Sequence, residues 1–136
     1  MPGTNSGNSK CIMIVDDELP ILGLFELTLR RPGFTVVTAD SAKSALQLLD
    51  SCKPDLFIVD MIMPDMDGLE LCQQIRSRSD TSTKPILLIS ARHDPATVDR
   101  ALAAGADDFM WKLTPQFKLM RTVQMLLEHN AGNGAH

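Results

Sequence analysis

The chain has 136 residues, of which 44% are apolar, and a formal net charge of −4. That composition suits one compact domain with a real core, and the acidic balance without any Lys/Arg block argues against nucleic-acid binding by this segment. No apolar run approaches membrane-spanning length, and the opening Met-Pro-Gly-Thr-Asn-Ser-Gly-Asn-Ser lacks both the charged and the apolar parts of a signal peptide. Cys11, Cys52 and Cys72 are odd in number and unrelated in spacing, which excludes a disulfide framework or a zinc site. Cys11 and Cys72 fall in apolar or amphipathic runs and read as core thiols, so a cytoplasmic location is expected.

Residues 1–9 are all small or polar apart from Met1 and are expected to form a disordered tail. The folded domain is expected over 10–129, and 130–136, rich in Gly, Ala and Asn, as a flexible end or the start of a linker. Between these ends, apolar runs at 11–15, 35–39, 56–59, 86–89 and 108–111 have the length and flanks of buried parallel strands. Helical spacing fills the gaps. Leu22, Phe25 and Leu29 mark a helix over 19–31, with Pro20 in its first turn and Gly33 beyond its end. Ser41 caps a helix over 41–50, and Leu69, Cys72 and Ile75 lie on one stripe over 68–76. Asp94 caps a helix over 95–104 that Gly105 closes, and Thr114 is expected to cap the last one. A strand-helix alternation repeated five times calls for a doubly wound α/β fold, a five-stranded parallel sheet with helices on both faces.

The strand ends carry the chemistry. The first strand runs into Asp16-Asp17, the third into Asp60, the fourth into Ser90 and the fifth into Lys112. Sites in open parallel sheets form at the carboxyl ends of the strands, so three carboxylates, a hydroxyl and an ammonium are expected to converge. Three carboxylates stay ionised at close range only around a cation, and oxygen donors without His or Cys favour Mg2+. A carboxylate is also a nucleophile in phosphoryl transfer, with Lys112 and Ser90 placed to meet the oxygens of the transferred group.

The blocks Ile14-Val15-Asp16-Asp17, Val59-Asp60-Met61-Ile62-Met63-Pro64-Asp65-Met66-Asp67-Gly68, Ile89-Ser90-Ala91-Arg92 and Gly105-Ala106-Asp107-Asp108-Phe109 with Lys112 resemble, in order and spacing, those of response-regulator receiver domains. The resemblance runs from about Cys11 to Glu128. It implies a flavodoxin-like sheet in the order 2-1-3-4-5, phosphorylation on Asp60, and Mg2+ bound by Asp17 directly, Asp16 mainly through water, Asp60, and the backbone carbonyl of Ile62. Ser90 and Phe109 would form the switch, Lys112 would pair with Asp60 and the phosphoryl oxygens, and Ile62 and Arg92 would border the approach of hydrolytic water. It further implies a histidine kinase or phosphotransfer protein as donor, a changed surface over the fourth helix, fifth strand and fifth helix, an output outside this chain, and a homodimer on phosphorylation as one outcome. There are two departures. Leu113 follows Lys112 where the family usually has proline in a cis peptide, so a trans bond is expected here. Phe109 replaces the commoner tyrosine.

Taken alone, each residue has a plainer reading. Asp16 and Asp17 suit a helix cap, Asp60 a turn, Ser90 a loop, and Lys112 a solvated surface charge. Asp65, Asp67, Asp107 and Asp108 read as turn and cap residues, Glu18 as solvated with some influence on metal binding, and Trp111 as facing the surface. Two functional rivals remain: a phosphatase or phosphotransferase with an aspartyl nucleophile, and a degenerate receiver acting only as an interaction module. The first typically needs a second Asp two residues after the nucleophile, where this chain has Ile62. The second is opposed by the complete set of Asp16, Asp17, Asp60, Ser90 and Lys112. A nucleotide- or flavin-binding module is opposed by the lack of GxGxxG after the first strand.

Overall fold

The computed structural model describes residues 9–134, so all but the last residue of the tail expected over 1–9 lies outside the described residues. Ser9, assigned by sequence to that tail, is tied to the fold. Its hydroxyl donates to the Gly33 carbonyl at 2.9 Å and lies 3.2 Å from Thr35 Oγ1.

Strands β1 (Cys11–Val15), β2 (Thr35–Ala39), β3 (Leu56–Asp60), β4 (Ile86–Ser90) and β5 (Asp108–Trp111) form one parallel sheet in the order β2-β1-β3-β4-β5. Helices α1 (Leu19–Arg30), α2 (Ala42–Leu48), α3 (Gly68–Ser77), α4 (Pro95–Ala103) and α5 (Gln116–Gly134) connect and follow them. The central strands are apolar at nearly every position, so both faces of the sheet must be covered. Alternate residues therefore serve two cores. Ile12, Ile14, Leu56, Ile58, Leu87 and Ile89 pack with Phe25 and Leu29 of α1 and Leu119 and Val123 of α5. Met13, Val15, Phe57, Val59, Ile86 and Leu88 pack with Ala45 of α2, Leu71 and Ile75 of α3 and Ala101 of α4.

Helix starts follow the expected caps at three places. Ser41 Oγ accepts from Ser44 N at 3.0 Å, Asp67 from Leu69 N at 2.8 Å and Asp94 from Thr97 N at 3.3 Å, each a contribution of about 1 kcal/mol. Thr114 is different. The turn that leaves β5 uses its amide, bonded to Trp111 O at 2.9 Å, and the Pro115 carbonyl opens α5 by accepting from Lys118 N and Leu119 N. At its other end α5 runs past Asn130 to Gly134. Continuing a formed helix by one residue costs less than starting one, and even Asn and Gly lose only about 1 kcal/mol or less each relative to Ala.

One glycine fixes how closely α3 approaches the end of β3. Gly68 N donates to Met61 O at 2.8 Å, and a Cβ at Gly68 would lie 2.0 Å from the Asp60 carbonyl oxygen. The obstacle is backbone, so it does not yield as a side chain would. We expect Gly68→Ala to cost about 3 kcal/mol, at the upper end for an overpacked site. By contrast Gly23, exposed in α1 with nothing within 4 Å of its added Cβ, should gain about 0.5–1 kcal/mol on replacement by alanine. Urea unfolding of the two variants checks both; the same sign of change in each would contradict this packing.

Candidate functional site

The carboxyl ends of β1, β3 and β4 and the turn after β5 bring the predicted residues together. Asp16 follows β1 with its side chain fully buried, and its Oδ1 accepts from Glu18 N at 2.9 Å. Asp60 closes β3, also buried, with Oδ1 accepting a long 3.4 Å bond from Ile62 N. Asp17 is exposed beside them, and one carboxylate oxygen from each of the three lies within 4.8 Å of the others. Lys112 is buried and reaches into this cluster, its Nζ 2.9 Å from Asp16 Oδ2 and 3.3 Å from Asp60 Oδ2. The described residues contain no cis peptide, so the Lys112–Leu113 bond is trans as expected, and the lysine still arrives.

The neighbouring loops hold this edge in place. Ser90, buried at the end of β4, accepts from Arg92 N through Oγ at 3.0 Å, which leaves its hydroxyl hydrogen free to donate elsewhere. Trp111 Nε1 donates to Ala91 O at 3.1 Å and its ring lies 4.5 Å from that of His93, so the β5 end and the β4–α4 loop are joined, and the indole is half-buried rather than a free surface group. Ile62 and Arg92, both exposed, line a cavity of about 170 Å³ with Ser90 and Thr97. Phe109 is half-buried against the core beneath α2 and α3.

Electrostatically the site is short of positive charge. Burial pushes the Asp60 carboxyl up to about 6 and the Asp16 charge adds to this, against the opposing pull of Lys112 and the Ile62 amide. Burial likewise raises Asp16. Burial works against the charged form of Lys112, but Glu18, Asp16 and Asp60 outweigh it and hold the ammonium above its ordinary range. Two carboxylates at this separation repel by something like 4 kcal/mol in a partly screened site, and one shared ammonium cannot cancel three such contacts. Asp16 Oδ2 shows the shortfall directly. It is buried, and although Lys112 Nζ lies 2.9 Å away as an ion pair, no donor is aligned to make it a hydrogen bond. An all-oxygen cluster with excess charge and a buried oxygen lacking a donor fits a hard divalent cation such as Mg2+.

Two contacts escaped the sequence. Glu18, read as solvated, pairs directly with Lys112. Asp65, read as a local turn residue, reaches across to α2 and accepts from Ala42 N at 3.3 Å and Lys43 N at 3.0 Å, bonds that hold its carboxyl below the usual range. It thereby ties down the loop that follows Asp60. Nothing in the spacing of either residue announces its partner; only the strand-end position of Glu18 beside Asp16 and Asp17 gives a clue.

Known proteins share this sequence pattern and fold. The family pattern that matches is the response regulator receiver domain, over residues 12–124. The alkaline phosphatase synthesis transcriptional regulatory protein PhoP of Bacillus subtilis is 38% identical over 104 residues, which cover 76% of this chain and 42% of that protein. This chain therefore spans less than half of that relative. Among solved structures, chemotaxis protein CheY4 of Vibrio cholerae matches with a TM-score of 0.82 at 28% identity, covering 87% of this chain and 98% of that one. The signal receiver domain of a signal transduction histidine kinase from Syntrophus aciditrophicus matches with a TM-score of 0.82 at 32% identity, covering 89% and 92%.

The charge imbalance has a measurable consequence without metal. The Asp60 carboxyl titrates at 3.8 when unperturbed and at about 6 in the fold, so the native state holds this proton more tightly than the unfolded chain does. Its contribution to stability is therefore lost as pH rises from about 4 to about 6 and stays lost above. In chelator at pH 7, Asp60→Asn should be more stable than wild type by about 1–3 kcal/mol, and the gain should shrink towards zero at pH 4. Thermal unfolding across that range tests it; equal stability at pH 7 would mean that Asp60 is not under this strain.

Proposed function

The chain belongs to the response-regulator receiver family, and from that premise we propose that it is a phosphorylation-dependent switch with Asp60 as the phospho-acceptor. The observation that carries this is a buried, charge-strained Asp60 carboxylate within 3.3 Å of a buried ammonium at the carboxyl edge of the sheet. An oxygen of Asp60 attacks the donor phosphorus, a new P–O bond forms, and the bond to the donor breaks with its electron pair leaving on the donor. Lys112 neutralises charge on the phosphoryl oxygens, and the free hydroxyl hydrogen of Ser90 donates to one of them. Asp17 would hold Mg2+ directly, Asp16 mainly through water, with an Asp60 oxygen and the Ile62 carbonyl completing the protein's share. The bound ion supplies positive charge to the carboxylates and the incoming phosphoryl group.

Ser90 then follows the phosphoryl group and Phe109 turns inward to fill the space, which alters the surface formed by α4, β5 and α5. Phe109 has no phenolic hydroxyl to satisfy, so its inward state is populated before phosphorylation and phosphorylation increases that population. The donor is a histidine kinase or phosphotransfer protein, and the output is a protein or domain outside residues 1–136, in keeping with the description of the Bacillus relative as a transcriptional regulator. Homodimerisation on phosphorylation is one route by which the altered surface acts.

Incubation with acetyl phosphate and Mg2+, followed by intact mass, separates this function from its rivals. Wild type should gain one phosphoryl group and Asp60→Asn none; uptake by the Asn variant at the wild-type rate would rule out the acceptor, and continuous turnover of an added phosphoester would favour a phosphatase.

The phosphorylated form should also be long-lived. Ile62 has no donor or acceptor to orient an attacking water, and Arg92, engaged with Asp94 at 3.2 Å, has donors only. Placing a polar side chain on the approach, as in Ile62→Asn, should speed loss of the phosphoryl group by roughly tenfold, less than a true general base contributes because an amide can orient water but not take its proton. Decay of purified phospho-protein in Mg2+ buffer measures this. Loss from wild type within seconds, or no faster decay in the variant, would count against the role of these two positions.

A further inference from the structure

Glu18 has no part in the scheme above, yet it pairs directly with the lysine of the site. It stands on the loop between β1 and α1, where its carbonyl accepts from Ile21 N and Leu22 N at the start of the helix. Its side chain does not cap that helix. It turns back to Lys112 instead, with its side chain 57% exposed while that of the lysine is only 6% exposed. The ammonium is thus divided among three carboxylates: Glu18, Asp16, whose Oδ2 lies at 2.9 Å, and Asp60, whose Oδ2 lies at 3.3 Å.

We propose that Glu18 is a positioning residue that restrains Lys112 in the resting protein and slows phosphoryl transfer to Asp60 until the incoming phosphoryl oxygens displace it. The proposal rests on Asp60 being the acceptor. In the transfer, the donor's bond to phosphorus breaks as the bond to Asp60 forms, and the charge that Lys112 must meet lies on the phosphoryl oxygens. To meet it the ammonium has to give up or share Glu18. A contact stronger in the ground state than in the transition state raises the barrier, so Glu18 opposes the reaction. Of the carboxylates that hold Lys112, it is also the one able to leave. Asp16 is fully buried and bonded to Glu18 N, whereas the Glu18 side chain is long and reaches in from water. Once released, its charge stands beside the N-terminus of α1, where the helix dipole favours it.

The experiment is a double-mutant cycle on the rate of phosphoryl uptake from acetyl phosphate, at saturating Mg2+ so that changes in metal affinity drop out. Wild type, Glu18→Gln, Lys112→Gln and the double variant are compared by intact mass. Glu18→Gln should accelerate uptake about three- to tenfold with Lys112 present, and by less than about twofold without it, the signature of two coupled residues. Equal acceleration in both backgrounds would reveal a general effect of charge on an anionic donor and overturn the proposal, as would no acceleration at all. Uptake absent from every protein, wild type included, would overturn the acceptor assignment and this proposal with it, a result distinct from normal wild-type uptake with an unaffected Glu18→Gln. If Lys112→Gln reacts too slowly to follow, the same cycle is read as the half-saturating concentration of beryllofluoride, from Trp111 fluorescence. Coupling between the two positions is expected there too, and strict additivity would overturn the proposal.

Discussion

Three carboxylates, from Asp16, Glu18 and Asp60, share the ammonium of Lys112 at one edge of the sheet, and a fourth, from Asp17, lies beside Asp16 and Asp60. The parallel fold forces this meeting, because every strand ends on the same side and the acidic residues lie at strand ends. The apolar strands beneath leave Asp16, Asp60 and Lys112 little access to water, so repulsion between the two buried carboxylates is not screened away as it would be on an open surface. The site is therefore held together against its own charge. What relieves that charge, whether a proton, a divalent cation or the shift of Lys112 towards new anionic oxygens, also changes the stability and arrangement of the edge.

Several local features serve this constraint. Gly68 lets α3 begin against the Asp60 backbone, Asp65 anchors the intervening loop to α2, and the Trp111–Ala91 bond joins the loops after β4 and β5. The lysine comes from a turn held by trans peptides, so its reach does not depend on a cis bond between Lys112 and Leu113. Asp60 is linked to the residue after β5 by its 3.3 Å contact with Lys112 Nζ, and the Lys112 amide donates to the Ser90 carbonyl at 2.8 Å, the route along which the proposed switch would act.

Much of this was legible before the fold was seen. Strand-helix alternation and uniformly apolar central strands leave few solutions other than a covered parallel sheet, and strand-end positions single out Asp16, Asp17, Asp60, Ser90 and Lys112. Contacts made by reach rather than by period stayed hidden. Glu18 finds Lys112 across most of the chain, Asp65 caps a helix that precedes it, and Asp107, expected in a turn, accepts from both Arg76 at 2.6 Å and Ile86 N at 2.7 Å. Chain ends were hard to read for a related reason. Ser9 is held by hydrogen bonds to Gly33 and to Thr35 at the start of β2, and α5 extends through residues of poor helix propensity, neither of which composition reveals.

The central claim is that the excess charge at this edge is the protein's means of holding a divalent cation. Asp16 is committed to Lys112 and to Glu18 N, while among the described residues no group donates a hydrogen bond to the exposed Asp17. Asp17 is the carboxylate free to bind directly. Calorimetric titration of the unphosphorylated protein with Mg2+ tests this most directly. Asp17→Ala should weaken binding by about tenfold or more, and Asp16→Ala, which removes a largely indirect partner, by distinctly less. Equal affinity in wild type and Asp17→Ala would contradict the account.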